Sequence, residues 1–336
     1  MKLHYIIRKD ILSLGLLIIA GILNGLFAQT ITPRQTGTLP AVLQESSGLE
    51  EGPNRTLWSH NDSGNDPILY QIDSTGKILR EVFLRNASNN DWEDIAQDDA
   101  GNIFVADIGN NGNWRRDLRI YRVDGAEILN QDTVEVDTIS FRYAEQVIFP
   151  TPANELHYDA EALLWANGSL HLFSKNRTAP FDGWIYHYKI SDQPGDYVIQ
   201  RVDSFQTRGN QKETYWATAA DVSEDGSRMV VLSSDKMWVF ACYKDDDFFK
   251  GFGLPVSLGT ISQKEAITFV GARHLMLSDE RFIITGGKIY ELDIQGLPAI
   301  KVNLGTDRML AGDSVILKPL MPADTRFQWS TGDTST

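Results

Sequence analysis

A short phrase recurs five times along this chain: an acidic or small residue, a small residue and an aliphatic one, followed after a turn by a hydrophobic strand with a polar end. The copies are Ser47-Gly48-Leu49, Glu93-Asp94-Ile95, Glu161-Ala162-Leu163, Ala220-Asp221-Val222 and Glu265-Ala266-Ile267. The second strands run from Thr56 to Ser59 before His60-Asn61-Asp62, and from Gly101 to Ala106 before Asp107. The other three are Ser169 to Phe173 before Ser174-Lys175-Asn176, Arg228 to Leu232 before Ser233-Ser234-Asp235, and His274 to Leu277 before Ser278-Asp279-Glu280. A third strand with a central aromatic completes each copy, at Tyr70, Tyr121, Tyr186, Trp238 and Tyr290. Repetition of this kind specifies a radially repeated all-β protein, in which each copy supplies one blade around an axis.

The middle residues of the phrase lie at 48, 94, 162, 221 and 266, so the separations are 94 − 48 = 46, 162 − 94 = 68, 221 − 162 = 59 and 266 − 221 = 45 residues. A four-stranded blade needs about 40 to 50 residues. Five blades are therefore favoured, and six are possible only if the gap after Asp94 hides a degenerate copy. Outer strands are expected at Ile78 to Leu84, Val136 to Tyr143, Tyr197 to Phe205 and Pro255 to Leu258. The fifth blade lacks one unless Thr38 to Leu43 or Ala299 to Leu304 fills the place, which would remove an open sheet edge. Trp58, Trp92, Trp165, Trp216 and Trp238 are expected to pack mostly between blades.

Lys2, Arg8 and Lys9 precede an apolar run from Ile11 to Phe27, with Ala28 before Gln29, so residues 1–28 are expected to be a signal peptide. Residues 30–297 then form the propeller. Residues 301–336 look like the opening strands of an immunoglobulin-like module, cut short as an incomplete β-sandwich-like tail, because such a sandwich needs about 100 residues. The whole chain carries a formal charge of −14, and removing residues 1–28, with three cations and one anion, gives −14 − 2 = −16. Such a chain repels phosphate backbones and anionic membranes, so no nucleic-acid partner, and no membrane partner after signal cleavage, is expected. A single cysteine, Cys242, excludes an intrachain disulfide framework.

If the first strands begin at one end of a central channel, Glu93, Glu161 and Glu265 converge there. Asp94 and Asp221 follow one position further along, and Asp62, Asp107 and Asp279 stand at the neighbouring strand ends. Crowded carboxylates raise one another's pKa, and a hard divalent ion resolves the conflict, calcium being the best candidate. The expected metal ligands are Glu93, Asp94, Asp107, Glu161, Asp221 and Glu265. His60 and His157 stand beside the repeated phrases as candidate general bases.

Asp91-Trp92-Glu93-Asp94-Ile95-Ala96 with Gly101 to Asp107, and Tyr158-Asp159-Ala160-Glu161-Ala162-Leu163, resemble the innermost strands of bacterial β-propeller phytases and, more loosely, of gluconolactonase-like propellers. That resemblance implies a propeller whose blade carboxylates meet at the axis around calcium. The tail resembles immunoglobulin-like modules of bacterial secreted proteins with C-terminal sorting domains. No evident set of lysines and arginines near the phrases offers a grip on a phosphorylated substrate. The expected function is a secreted or cell-surface binding or scaffold module, monomeric and stabilised by calcium, with a small-molecule, glycan or protein ligand. The alternative is a calcium-dependent hydrolase of phosphoesters or lactones that uses the axial carboxylates and a histidine base.

The signal reading predicts an exported chain whose mature N-terminus lies within a few residues of Gln29. Intact-mass measurement checks this, and a membrane-bound form that keeps Met1 to Phe27 would contradict it.

Overall fold

The computed structural model describes residues 29–297, apart from Ile284 and Gly296, together with the short strand pair Phe327–Gln328 and Thr334–Ser335. The expected signal segment 1–28 and, apart from that strand pair, the expected immunoglobulin-like segment 301–336 lie outside the described residues. The chain is a five-bladed β-propeller. Blade one comprises Ser46–Glu51, Leu57–Asn61, Ile68–Ile72 and Ile78–Leu84, and blade two Trp92–Gln97, Ile103–Asp107, Arg119–Val123 and Val136–Tyr143. Blade three comprises Ala160–Ala166, Ser169–Ser174, Trp184–Ser191 and Arg201–Gln206. Blade four comprises Ala219–Val222, Arg228–Leu232, Lys236–Ala241 and Phe252–Ser257. Innermost strands touch in chain order, and that of blade five, Lys264–Val270, returns to that of blade one.

Closure comes from the N-terminal segment, but not from the stretch expected. Arg34–Thr38 pairs antiparallel with Lys288–Asp293 as the outer strand of blade five, whereas Ala41–Leu43 is a turn of 3-10 helix that buries Leu43. The outer strand expected at Tyr197 to Phe205 is split in two. Gly195–Ile199 adds a parallel fifth strand to blade two, and Arg201–Gln206 then closes blade three. Thr133–Val134 does the same for blade one and Gln29–Thr30 for blade four. In each case the segment just before one blade's outer strand first pairs with the blade behind it, covering an edge and stitching neighbours together.

Alternation along the strands sends one face to each neighbour, so the core divides into five clusters, one per seam. Trp58, Trp92 and Tyr121 lie between blades one and two, Phe104, Tyr143 and Tyr188 between two and three, and Phe173, Trp238 and Phe240 between three and four. Leu232, Phe269 and Leu277 fill the fourth seam, and Leu39, Leu57 and Ile289 the last. Large aromatic side chains supply much of the contact in the first three seams, and mainly aliphatic ones fill the last two. Inner hairpins turn through glycines at positive φ, such as Gly101 and Gly226, where a Cβ would be strained. Two short helices, Gly125–Asn130 and Lys212–Tyr215, interrupt the all-β pattern; the first is capped by Asp124, which accepts from the N–H groups of Ala126 and Glu127. No helix among the described residues is long and apolar enough to cross a membrane.

The closing strand leaves no room at Gly37, where an added Cβ would sit 1.8 Å from the carbonyl oxygen of Thr75. Gly37→Ala is expected to lower the unfolding free energy by about 1 to 3 kcal/mol, the usual cost of overpacking. Urea denaturation measures it, and an unchanged midpoint would mean that the ring does not close through this strand.

Candidate metal centre

Every innermost strand begins, and every second strand ends, at the same mouth of the channel. A β-bulge at the start of the first strand in blades one, two, three and five adds one residue to the ladder and turns it towards the axis. In blades two and three that residue is a glutamate, with an aspartate two positions earlier on the same side: Asp91 and Glu93, then Asp159 and Glu161. Carboxylate oxygens of Asp62, Asp91 and Glu93 all lie within 4.8 Å of one another, as do those of Glu93, Asp159 and Glu161. Glu93 is common to both groups. Gly109 passes over it so closely that a Cβ would fall 2.0 Å from Glu93 Oε1 and 2.5 Å from Asp91 Cγ.

Two cations enter from the end of the second strand of blade three. Lys175 Nζ donates to Glu161 Oε2 at 2.7 Å and lies 3.8 Å from Glu265 Oε2. Arg177 donates from Nε to Asp159 Oδ2 at 2.6 Å and from Nη2 to Glu161 Oε1 at 2.8 Å. Trp216 covers both, its ring centre 4.9 Å from Lys175 Nζ and 5.1 Å from Arg177 Cζ, and its buried Nε1 has no hydrogen-bond partner among the described residues. Trp216 thus belongs to the mouth, unlike Trp58, Trp92 and Trp238, which are buried in the seams.

Burial, followed by the charge of Glu161, pushes Asp62 up to about 8, Asp91 to about 6 and Asp159 to about 7. Burial also raises Glu265 to about 7. Glu93 is raised well above the ordinary range by burial and by Glu161 and Asp62, and it hydrogen-bonds Glu161. Burial pushes Glu161 up too, but Lys175 and Arg177 outweigh it and hold Glu161 below its usual value. Among the described residues no lysine or arginine forms an ion pair with Asp62, Asp91 or Glu93, so burial and mutual repulsion keep protons on this group to higher pH than usual. An all-oxygen donor set of this density, closed over by a glycine, suits a hard divalent cation such as calcium.

Glu93 and Glu161 are brought together here, with Glu265 at the edge beside Lys175. Asp94, Asp107 and Asp221 are not. Asp94 accepts backbone N–H groups from three blades, and Asp107 is taken by Arg115 at 2.9 Å and by the N–H of Asp91 at 3.0 Å. The fourth copy of the phrase is Thr218-Ala219-Ala220, since Ala219 pairs with Leu232 as Ala162 pairs with Phe173. Reading it as Ala220-Asp221-Val222 slips the register by two residues, which keeps the face but moves Asp221 about 6.6 Å along the channel. His60 is wholly buried, edge-on to Trp92, with Nδ1 3.0 Å from the carbonyl of Asn61, and burial lowers it to about 4. His157 stacks on Tyr186 with Nε2 3.2 Å from Asp182 Oδ2, and burial lowers it as well. The partners of both rings lie outside the carboxylate group. Asp91, Asp159, Lys175 and Arg177 complete the site; the repeated Asp-x-Glu spacing at 91/93 and 159/161 was the available sign of the first two.

No protein-family model matches the chain, and no curated protein matches it. Among solved structures it is similar to the PQQ-bound aldose sugar dehydrogenase of Streptomyces coelicolor, at 13% identity over 77% of this chain and 96% of that one, with a TM-score of 0.42. It is also similar to a gluconolactonase of Xanthomonas campestris, at 11% identity over 80% and 88% with a TM-score of 0.41. A third likeness is to virginiamycin B lyase of Staphylococcus aureus, at 17% identity over 77% and 69% with a TM-score of 0.37. At these scores and identities none of them bears on the chemistry of the site.

The raised carboxyls bind protons in the folded chain that the unfolded chain releases near pH 4, so metal-free stability falls as pH rises from about 5 to about 8. Thermal midpoints in chelator should decline across that window, and calcium should remove the decline. A flat profile in chelator would contradict the crowding of these carboxyls.

Proposed function

We propose that this chain is a calcium-dependent hydrolase of phosphoesters or lactones, working at the mouth that holds Glu93. The observation that carries this reading is the placing of three carboxylates that form no ion pair among the described residues, Asp62, Asp91 and Glu93, directly beside two cations that are already held by others. Calcium would be held by Asp62, Asp91 and Glu93, and when bound it supplies a Lewis acid and a more acidic water. Asp159 and Glu161 position Lys175 and Arg177, whose N–H groups would receive the charge that develops on a phosphoryl or carbonyl oxygen. Trp216 shields one side of that pair from solvent and strengthens its field. Glu265, which titrates at about 7 within 3.8 Å of Lys175 Nζ, is the group best matched to exchange a proton near neutral pH. Neither histidine takes that role. Fold alone does not decide among the many functions that propellers host, so the reading stands on the site. Export through the N-terminal segment would place the enzyme at the cell surface or outside it.

Purified protein assayed against p-nitrophenyl phosphate, bis(p-nitrophenyl) phosphate and small lactones should turn over at least one of them with calcium and none in chelator. Glu93→Gln should cost about a hundredfold in kcat, and Lys175→Met should cost a similar factor through loss of charge stabilisation. Turnover that survives chelator, or no turnover of any of these with calcium, would leave the binding-module reading in its place.

A further inference from the structure

The hairpins joining first and second strands meet at the opposite mouth, and in blades one, two and four their ends are acidic: Glu50-Glu51-Gly52, Asp98-Asp99 and Glu224-Asp225. They enclose an open cavity of about 1220 Å³. Glu50 and Glu51, Asp98 and Asp99, and four carboxylates of blade four line it, whereas no lysine, arginine or histidine does. Asp245 is paired with Lys244 at 3.7 Å, and Arg55 and Arg228 act on Glu51 and Asp225 from outside the lining. In the floor, the hydroxyl of Thr268 joins two of these carboxylates, at 3.2 Å from Asp221 Oδ2 and 3.5 Å from Glu50 Oε1.

Two further observations point to the ligand. Tyr243 forms part of the wall and is only 9% exposed, yet its buried hydroxyl has no hydrogen-bond partner among the described residues. Apolar side chains, among them Trp165 and Leu129, lie among the acids, and the indole of Trp165 is fixed by donation to Asp192 at 3.0 Å. A bare metal ion does not fit this pattern. Among the described residues, the groups of three carboxylates with oxygens within 4.8 Å of one another lie at the other mouth. Here the charges are spread over a wide cavity with hydrocarbon between them.

We infer that this cavity binds an aliphatic di- or polyamine. One ammonium group would sit over Glu50 and Asp221, on the side of the wall that holds the unpartnered Tyr243 hydroxyl, another would meet Glu51 and Glu224 at the rim, and the methylenes between would lie against Trp165 and Leu129. A cleft lined by a single sign of charge with low-dielectric walls concentrates counter-ions of opposite sign, and aromatic faces add attraction for ammonium groups. The site is separate from the proposed hydrolytic mouth and does not depend on that reading.

Calorimetric titration of the full chain with spermidine, in calcium-containing buffer at low salt, tests the inference. Saturable one-to-one binding is expected, weakening as salt is added. Glu51→Gln with Glu224→Gln should weaken it about tenfold, since both groups sit at the rim, and the amide of glutamine can still accept the backbone N–H of Gly271 that Glu51 holds. The neutral chain 1,8-octanediol should not bind the parent protein, a check that does not depend on any variant folding. Absence of saturable binding, unchanged affinity in the double variant, equal binding of the diol, or binding of tetralysine but not of spermidine would each overturn the inference, the last in favour of a basic protein segment.

Discussion

The carboxylate of Asp94 ties the propeller together at its axis. One oxygen accepts the N–H of Ile95 at 3.0 Å, and the other accepts those of Leu163 at 3.0 Å and Ala220 at 3.2 Å, so blades two, three and four hang on one buried side chain. Burial raises its pKa, while the three donors favour the ionised form. The other seams carry smaller versions of the same device. Ser47 donates to the carbonyl of Glu93 at 2.6 Å, Ser46 meets Ser278 at 2.9 Å, and Thr218 donates to the carbonyl of Lys264 at 2.7 Å. Asp221 accepts the N–H of Phe269 at 2.6 Å across the fourth seam. Blades whose inner strands do not hydrogen-bond as one sheet need such cross-links, because a buried N–H without a partner costs about 1 to 3 kcal/mol.

That frame fixes what the two mouths can do. Once Asp94 is consumed inside the channel, Glu93, its neighbour across the bulge, is left to face the mouth with Asp62, Asp91, Asp159 and Glu161. Lys175 and Arg177 partly neutralise one half of this group and leave the other half acidic, so opposite charges stand side by side at this mouth. The far mouth receives acidic turns without cations in its lining. Much of the formal charge of −14 is thus gathered near two ends of one channel, and only one of them is arranged for an ion of small radius.

The repeat was legible because each blade needs the same three local elements, and its spacing led to five blades and to closure by an N-terminal strand. Details that depend on pairing were not. The split at Gln200 is invisible in composition, since Tyr197 to Phe205 reads as one continuous strand whichever blade it joins. The fourth phrase was misplaced by two residues because alternation is blind to a shift of two, and Asp221 imitates Asp94 on the same face. Glu93 and Glu161 could be found from the repeat itself. Lys175 was passed over although it stands in the repeat position that Asp62 has in blade one, because only carboxylates were sought there, and Arg177 lies two residues beyond it, where the repeat ends. His60 looked available beside Asn61-Asp62, but Gly48 leaves a hollow that its ring fills, Nε2 lying 2.5 Å from where a Cβ would stand.

The most direct test is an anomalous difference map from crystals grown with calcium. The predicted result is a single strong peak at this mouth, with oxygens of Glu93, Asp62 and Asp91 at about 2.3 to 2.6 Å. A map without a peak there, showing only ordered water between Glu93 and Asp62 while Lys175 and Arg177 keep their carboxylates, would contradict a metal centre and the hydrolytic chemistry built on it.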